Sequence, residues 1–198
     1  MVDYYNFKAN EIQIGETTLR NLKYNEKCVS AEVAAMLQKV LPENCMSNED
    51  LRKRHMLQIR SVHEVVNTYR TKMWAVSEER WTALGYQKHV LLHGTKVEAL
   101  GTIFDFGFNT SFSEKALIGK GVYFSPLLRK CADYGSCVIV CEAFFGKMGS
   151  GQEDVPPAAL GYHSTMSEDG SIVCIGDPGT QIHAIGLVRL ELGLPKDF

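Results

Sequence analysis

His93-Gly94-Thr95 closes a short apolar run, and Gly119-Lys120-Gly121-Val122-Tyr123-Phe124-Ser125 ends the segment that decides how this chain folds. The lead-in His89-Val90-Leu91-Leu92 is apolar and β-compatible, which places His93 at the end of a buried strand. Thr95-Lys96-Val97-Glu98 then carries the capping-box pattern, with Ala99, Leu100 and Ile103 giving the following helix an apolar face. Gly107 ends that helix, and a loop without clear periodicity runs to Gly119. Val122-Tyr123-Phe124 reads as a second strand. A His-Gly at one strand end and a Tyr on another frame a cleft with a polar hook and a flat aromatic wall.

Downstream of this stretch, Pro126 suits a helix start, and Leu127 to Tyr134 is expected to be a short helix. Cys137 to Phe145 is the longest β-type run and is expected to be a central strand. Gly146 to Gly170, rich in Gly, Pro and Ser, reads as a surface excursion. Ser171 to Gly176 reads as a strand, Asp177-Pro178-Gly179-Thr180 as a turn, and Ile182 to Leu192 as a final strand.

Upstream, Leu57 to Val62 has strand character, and Val62, Val66, Tyr69 and Met73 mark a helix continuing toward Trp81. Ser30 can cap an earlier helix in which Val33, Met36, Leu37, Val40 and Leu41 recur at helical spacing until Pro42. Residues 1–29 show little periodicity and receive no element. Many short strands with few helices predict an α+β fold with a mixed or antiparallel sheet.

A chain of 198 residues fits one structural domain, large enough to bury roughly 70% of its unfolded surface. Hydrophobic residues make up 45% and charged residues 22%, with a net charge of −2, so nothing suggests a strongly basic nucleic-acid surface. Arg52-Lys53-Arg54 reads as a solvated helix end. No run of eighteen apolar residues occurs, and Met1-Val2-Asp3 opens no signal peptide, so the expected location is intracellular, cytoplasmic or nuclear, with no membrane contact. Six cysteines lack any Cys-x-x-Cys pair. The even count permits three disulfides, but a chain without an export signal is expected to keep thiols. No metal site is expected.

The order of these pieces resembles a known family. A strand ending in His93-Gly94-Thr95, then Gly107-Phe108-Asn109, then Gly119-Lys120-Gly121-Val122-Tyr123-Phe124, is similar to the catalytic domain of the poly(ADP-ribose) polymerase-like ADP-ribosyltransferases. Ala132-Asp133-Tyr134, the Cys137 to Phe145 strand with Gly146, Pro156-Pro157, Tyr162-His163-Ser164-Thr165 and Gln181-Ile182 follow in the family's order. The likeness covers about Ile59 to Leu192. It implies a split, mixed or antiparallel β-sheet with a few flanking helices. Residues 1–55 would be an extension packed on a catalytic domain of residues 56–198, with no room for a helical regulatory domain.

The resemblance also implies a chemistry. Such enzymes break the bond between nicotinamide and ribose in NAD, their co-substrate, and pass ADP-ribose to an acceptor. His93 would bind a ribose hydroxyl, Gly94 would offer backbone N–H and C=O to the carboxamide, and Tyr123 and Tyr134 would stack on the nicotinamide ring. Thr95, Gly107, Asn109, Ser125 and Cys131 complete the implied NAD-binding set. Cys131 stands where the family usually has a serine, a stronger donor than a thiol. Ile118 replaces a common tyrosine, and Asn109 replaces an arginine of the polymerising members.

Ile172 stands where polymerising members place a glutamate, with Ser171 as the fallback alignment. An isoleucine cannot take a proton from an acceptor hydroxyl. His93, Tyr123 and Ile172 together resemble the mono-ADP-ribosyltransferases, which would act as monomers on protein acceptors. A catalytically inactive binding module and an NAD glycohydrolase are the alternatives. Gly119-Lys120-Gly121 matches neither the dinucleotide fingerprint nor a P-loop, and no signature supports His93 and Cys131 as a thiol-enzyme pair.

Overall fold

The computed structural model describes residues 5, 7, 9–22, 56–112 and 116–193. The larger of two sheets holds β1 (Glu11–Ile14), β2 (Thr17–Asn21), β3 (Met56–Val66), β4 (Lys88–Thr95), β6 (Cys137–Phe144) and β10 (Ile182–Gly193). Their lateral order is β1-β2-β3-β10-β6-β4, antiparallel throughout. The smaller sheet holds β5 (Val122–Phe124), β7 (Met148–Ser150), β8 (Ser164–Met166) and β9 (Val173–Ile175), ordered β5-β9-β8-β7, with β7 and β8 parallel. Around them stand α1 (Thr68–Ala83), α2 (Leu100–Phe106), α3 (Leu128–Ala132) and α4 (Pro178–Gln181). The class is α+β with antiparallel and mixed sheets.

β6 lies inside the larger sheet because both of its faces find partners. Cys137, Ile139, Cys141 and Ala143 join a cluster with Phe124 and Ile175 of the smaller sheet and with Leu100 and Phe104 of α2. Val138 and Val140 point the other way, into a cluster with Val62, Leu92, Val188 and α3. Burial on both faces, at period two, accounts for an uninterrupted apolar run. Leu92 of β4 and Ser125, just past β5, exchange two backbone hydrogen bonds of 2.9 Å each and so stitch the two sheets together.

Several local expectations change. Thr95 does not cap a helix: it pairs with Cys137 as the last rung of β4, and a 3-10 turn (Val97–Ala99) without a side-chain cap leads into α2. Ladder pairing of a buried threonine outweighs the cap that the local pattern offers. Val62 and Val66 belong to β3, and α1 starts after Asn67, whose Oδ1 accepts from the Arg70 N–H at 2.9 Å. Tyr69 and Met73 are exposed on α1; the helix docks instead through Trp74 and Trp81, which pack with Phe144. Two buried indoles, worth roughly 2–3 kcal/mol each, replace a regular apolar stripe.

The stretch from Gly146 to Gly170 is only partly an excursion, because it contributes β7 and β8, with Ser164 and Thr165 fully buried. Asp177 to Thr180 enters the one-turn α4. The α3 helix is shorter than expected and starts two residues after Pro126. The unassigned N-terminal stretch supplies the β1–β2 hairpin, hydrogen-bonded onto β3. The helix expected from Ser30 to Leu41 lies outside the described residues.

Candidate functional site

His93 and Tyr123 come from different sheets and meet at the seam. His93 Nδ1 lies 2.9 Å from the Tyr123 carbonyl oxygen. A carbonyl only accepts, so Nδ1 carries the proton and Nε2 presents a lone pair. Burial lowers the His93 pKa, against the pull of the Tyr123 carbonyl, so the neutral ring is favoured. Phe108 and Phe124 hold the imidazole at ring-centre distances of 5.1 and 5.4 Å. The result is a fixed imidazole that can accept a hydrogen bond from a hydroxyl.

The Tyr123 hydroxyl is engaged on its own side. It donates to the Gly119 carbonyl at 2.8 Å and accepts from the Ile118 N–H at 3.1 Å. Burial pushes its pKa up to about 12, although the Ile118 amide works in the opposite direction. Tyr123 therefore offers a ring rather than a proton. Thr165 and Cys174 hydrogen-bond the same Ile118–Gly119 loop from below.

Gly94 continues the edge of β4 beyond Leu92. Because Leu92 directs its N–H and C=O away from β6 toward Ser125, period-two alternation turns the Gly94 pair to the same open side. The missing Cβ matters here: it would lie 1.9 Å from the Cys131 carbonyl of α3. Gly94 thus lets α3 sit directly on the strand. Close packing of α3 on β4 by itself requires a glycine at this position.

Cys131 is buried, its Sγ 3.4 Å from the Leu92 carbonyl. Burial raises the thiol pKa to about 12, while the Gly94 and Ser125 amides pull the other way. It is a neutral, weak donor at this edge. Tyr134 follows in the turn after α3, its N–H bonded to the Cys131 carbonyl at 3.1 Å. The Tyr134 ring is 62% exposed and makes no ring contact with Tyr123 among the described residues, yet the two hydroxyls sense each other electrostatically. Two nearby aromatic rings stand apart, one fixed and one free. Thr95 closes this end, its carbonyl against Gly135, whose φ of +155° and lack of Cβ permit the contact.

Ser125 does not present a free hydroxyl. Its Oγ donates to the Ser171 carbonyl at 2.7 Å and accepts from the Leu127 N–H at 3.0 Å. Ser171 in turn is a hub: its Oγ accepts from Lys130 Nζ at 2.6 Å and donates to the Asp169 carboxylate at 2.6–2.7 Å. Hydrogen bonds from Ser167 and Ser171 hold the exposed Asp169 carboxyl well below the usual range. Ile172 follows Ser171 and precedes β9, with both backbone groups bonded to Ser167. Its half-buried side chain carries no ionisable group.

Between the C-terminal end of α2 and the start of α4 a cavity of about 360 Å³ opens, lined by Phe106, Gly107, Phe108, Asn109 and Asp177 among others. Gly107 caps α2 with φ +88°, a value that suits glycine. Asn109 Oδ1 accepts from the Ser111 N–H at 2.8 Å, which leaves its amide donors outward. Phe108 contacts the His93 ring and also walls this cavity, standing between the two. A second cavity of about 830 Å³ is lined in part by Ile118, Met148, Met166 and Asp169.

Of the ten sequence-nominated residues, Gly107 and Asn109 line the cavity between α2 and α4, His93 and Tyr123 meet at the seam, Gly94, Thr95, Ser125, Cys131 and Tyr134 lie on the segments beside it, and Ile172 directly precedes β9. The Tyr134 ring is exposed, whereas the Gly94 amide faces the Cys131 thiol and Ser125 and the Tyr123 hydroxyl are engaged within the protein. Lys130, Asp169 and Phe108 were not singled out. Asp169-Gly170 is a legible turn signal, but the pairing with Lys130 is tertiary and has no local trace. Among the described residues no group of three or more His, Cys, Asp or Glu could hold a metal ion, and no helix is long and apolar enough to cross a membrane. Neither a scan against protein-family models nor a search of curated proteins returns a match.

Proposed function

We propose that the chain is a mono-ADP-ribosyltransferase of the poly(ADP-ribose) polymerase-like type, transferring one ADP-ribose from NAD to a protein acceptor. The observation that carries the reading is the meeting of His93, Gly94, Tyr123, Cys131 and Tyr134 at one seam, with His93 fixed as a hydrogen-bond acceptor. When bound, NAD supplies a cationic nicotinamide that leaves as a neutral ring while positive charge develops on the ribose. The residues fit that co-substrate. The open edge of Gly94 suits an amide, which both donates and accepts. Aromatic faces favour a cationic ring by about 0.5–2 kcal/mol each. His93 Nε2, free to accept, suits a ribose hydroxyl.

No strong nucleophile is needed, and the buried thiols among the described residues are not activated. The thiols of Cys131 and Cys174 are pushed by burial to about 12 and about 11. Four buried free cysteines also fit a reducing, intracellular compartment. With Ile172 at the mouth of β9, the site lacks the carboxylate that supports chain growth, so transfer stops at one unit. One observation favours a second reading, an NAD-binding module without transfer: the Cys131 thiol already faces the Leu92 carbonyl and is a poor donor to a ligand.

The test is incubation of the purified chain with labelled NAD and candidate proteins. Label on protein is the expected result. Free ADP-ribose alone would mean a glycohydrolase, and neither product would leave the binding module.

A further inference from the structure

Four of the seven large apolar side chains that stand exposed among the described residues belong to one helix. Tyr69, Met73 and Val76 of α1, with Leu84 at its C-cap, are 52% to 66% exposed. Their spacing of i, i+4 and i+7 aligns the first three, and Arg80 and Ala83 continue the line. Trp74 and Trp81, which anchor α1 on Phe144, lie roughly a third of a turn away around the helix. The helix therefore carries two apolar stripes, one docked on the sheet and one facing solvent.

The charges beside the open stripe decide what could cover it. Written as heptads, the line places Tyr69, Val76 and Ala83 at position d and Met73 and Arg80 at a. Lys72 and Glu79 then share position g, exposed on one flank, and neither makes an ion pair among the described residues. In an antiparallel helix pair g faces g, so Lys72 would meet Glu79 of a second copy, and Glu79 its Lys72. The same register sets Met73 against Val76, and Tyr69 against Arg80, a cation over an aromatic face. A parallel pair would instead stack Arg80 on Arg80 and face Lys72 with Ser77, losing both ion pairs.

We propose that the open stripe of α1 is a homodimer interface, across which α1 of a second copy of this chain packs antiparallel. The sequence is self-complementary there in both its apolar line and its charged flank. The contact from Tyr69 to Arg80 runs about 18 Å. That is short for a stable complex, so association is expected with a Kd on the order of 10–100 μM. This departs from the monomer that the resemblance implies, and it holds whether or not the chain binds NAD.

Sedimentation equilibrium of the purified chain, over concentrations spanning that Kd, tests the assignment. Wild type should dimerise reversibly. Val76→Glu, which sets a carboxylate in the seam, should weaken the dimer roughly tenfold or more and leave the melting temperature of dilute protein unchanged. Lys72→Glu and Glu79→Lys should each weaken it about fivefold by opposing like charges, and the double reversal should restore it. Wild type that stays monomeric throughout overturns the interface. If Val76→Glu then lowers the melting temperature, another segment of this chain covers the stripe. A dimer indifferent to Val76→Glu also overturns the proposal, because its interface lies elsewhere. A dimer that the double reversal fails to rescue overturns the antiparallel register.

Discussion

A Cβ on Gly94 would stand 1.9 Å from the carbonyl oxygen of Cys131, so strand β4 and helix α3 touch backbone to backbone at the centre of the site. That contact cannot yield by a side-chain rotation. Gly94→Ala should therefore displace α3 and destabilise the fold by about 2 kcal/mol or more, as overpacked cores do. Urea denaturation would check it; a variant as stable as wild type would mean that α3 moves freely on the strand.

Tyr134 gives the opposite expectation. Its ring is largely exposed and holds nothing else in place. Tyr134→Ala should leave the melting temperature near wild type and weaken benzamide by about 1 kcal/mol, roughly fivefold. Unchanged affinity in the folded variant would remove Tyr134 from the ring clamp.

Cys131→Ser should strengthen the donor at the Gly94 edge. An oxygen donor in place of the thiol near the Leu92 carbonyl is expected to improve NAD affinity by on the order of 1 kcal/mol. A titration with no gain, in a protein of normal stability, would place Cys131 outside the carboxamide contact.

Product length follows from Ile172. Without an ionisable group at the entry to β9, each acceptor residue should carry a single ADP-ribose. Intact-mass spectrometry with site mapping decides this: successive increments on one residue would refute mono-transfer. Ile172→Glu is expected to lose activity rather than gain chain growth. The new carboxylate would sit half-buried beside buried Val173, where desolvation raises its pKa and keeps it partly protonated.

A pH dependence comes from His63, which is fully buried, with Nε2 2.9 Å from Ser61 Oγ, no partner on Nδ1, and Phe7 and Arg189 nearby. Burial, and then the Arg189 charge, lower its pKa from 6.5 to about 4. The folded state therefore prefers neutral His63, and the unfolded chain takes up the proton first. Its contribution is complete above about pH 6.5 and fades as pH falls toward 4, amounting to roughly 3 kcal/mol. Denaturation midpoints at pH 7 and pH 5 should differ in that sense, and His63→Gln should flatten the difference. A pH response unchanged by the substitution would refute the assignment.

The sequence made the seam visible and hid what covers it. β4, β5, β6 and β10 announce themselves because each is an apolar run bounded by glycine or a turn. The α1 helix misled because Val62, Val66, Tyr69 and Met73 keep a helical spacing across a strand–helix junction, and the signal of the true boundary was the single cap Asn67. Among the site residues, His93, Gly94 and Tyr123 stand out as strand-end punctuation. The Lys130–Ser171–Asp169 hub could not be read, since its two halves lie some forty residues apart and meet only through folding. Nor could the occupation of the Ser125 hydroxyl by Ser171, because a serine before a proline looks available until its partner is placed.

The bond from His93 to the Tyr123 carbonyl joins the two sheets as well as orienting an imidazole. Scaffold and chemistry therefore share a component, and selection for a stable chain alone would retain His93 and the strand of Tyr123. Relatives without the proposed reaction would keep this pair and diverge elsewhere. Tyr134, exposed and engaged with no other ring among the described residues, is where drift would appear first. The persistence of that aromatic among related chains, more than of His93, would mark a lineage that still uses the proposed site.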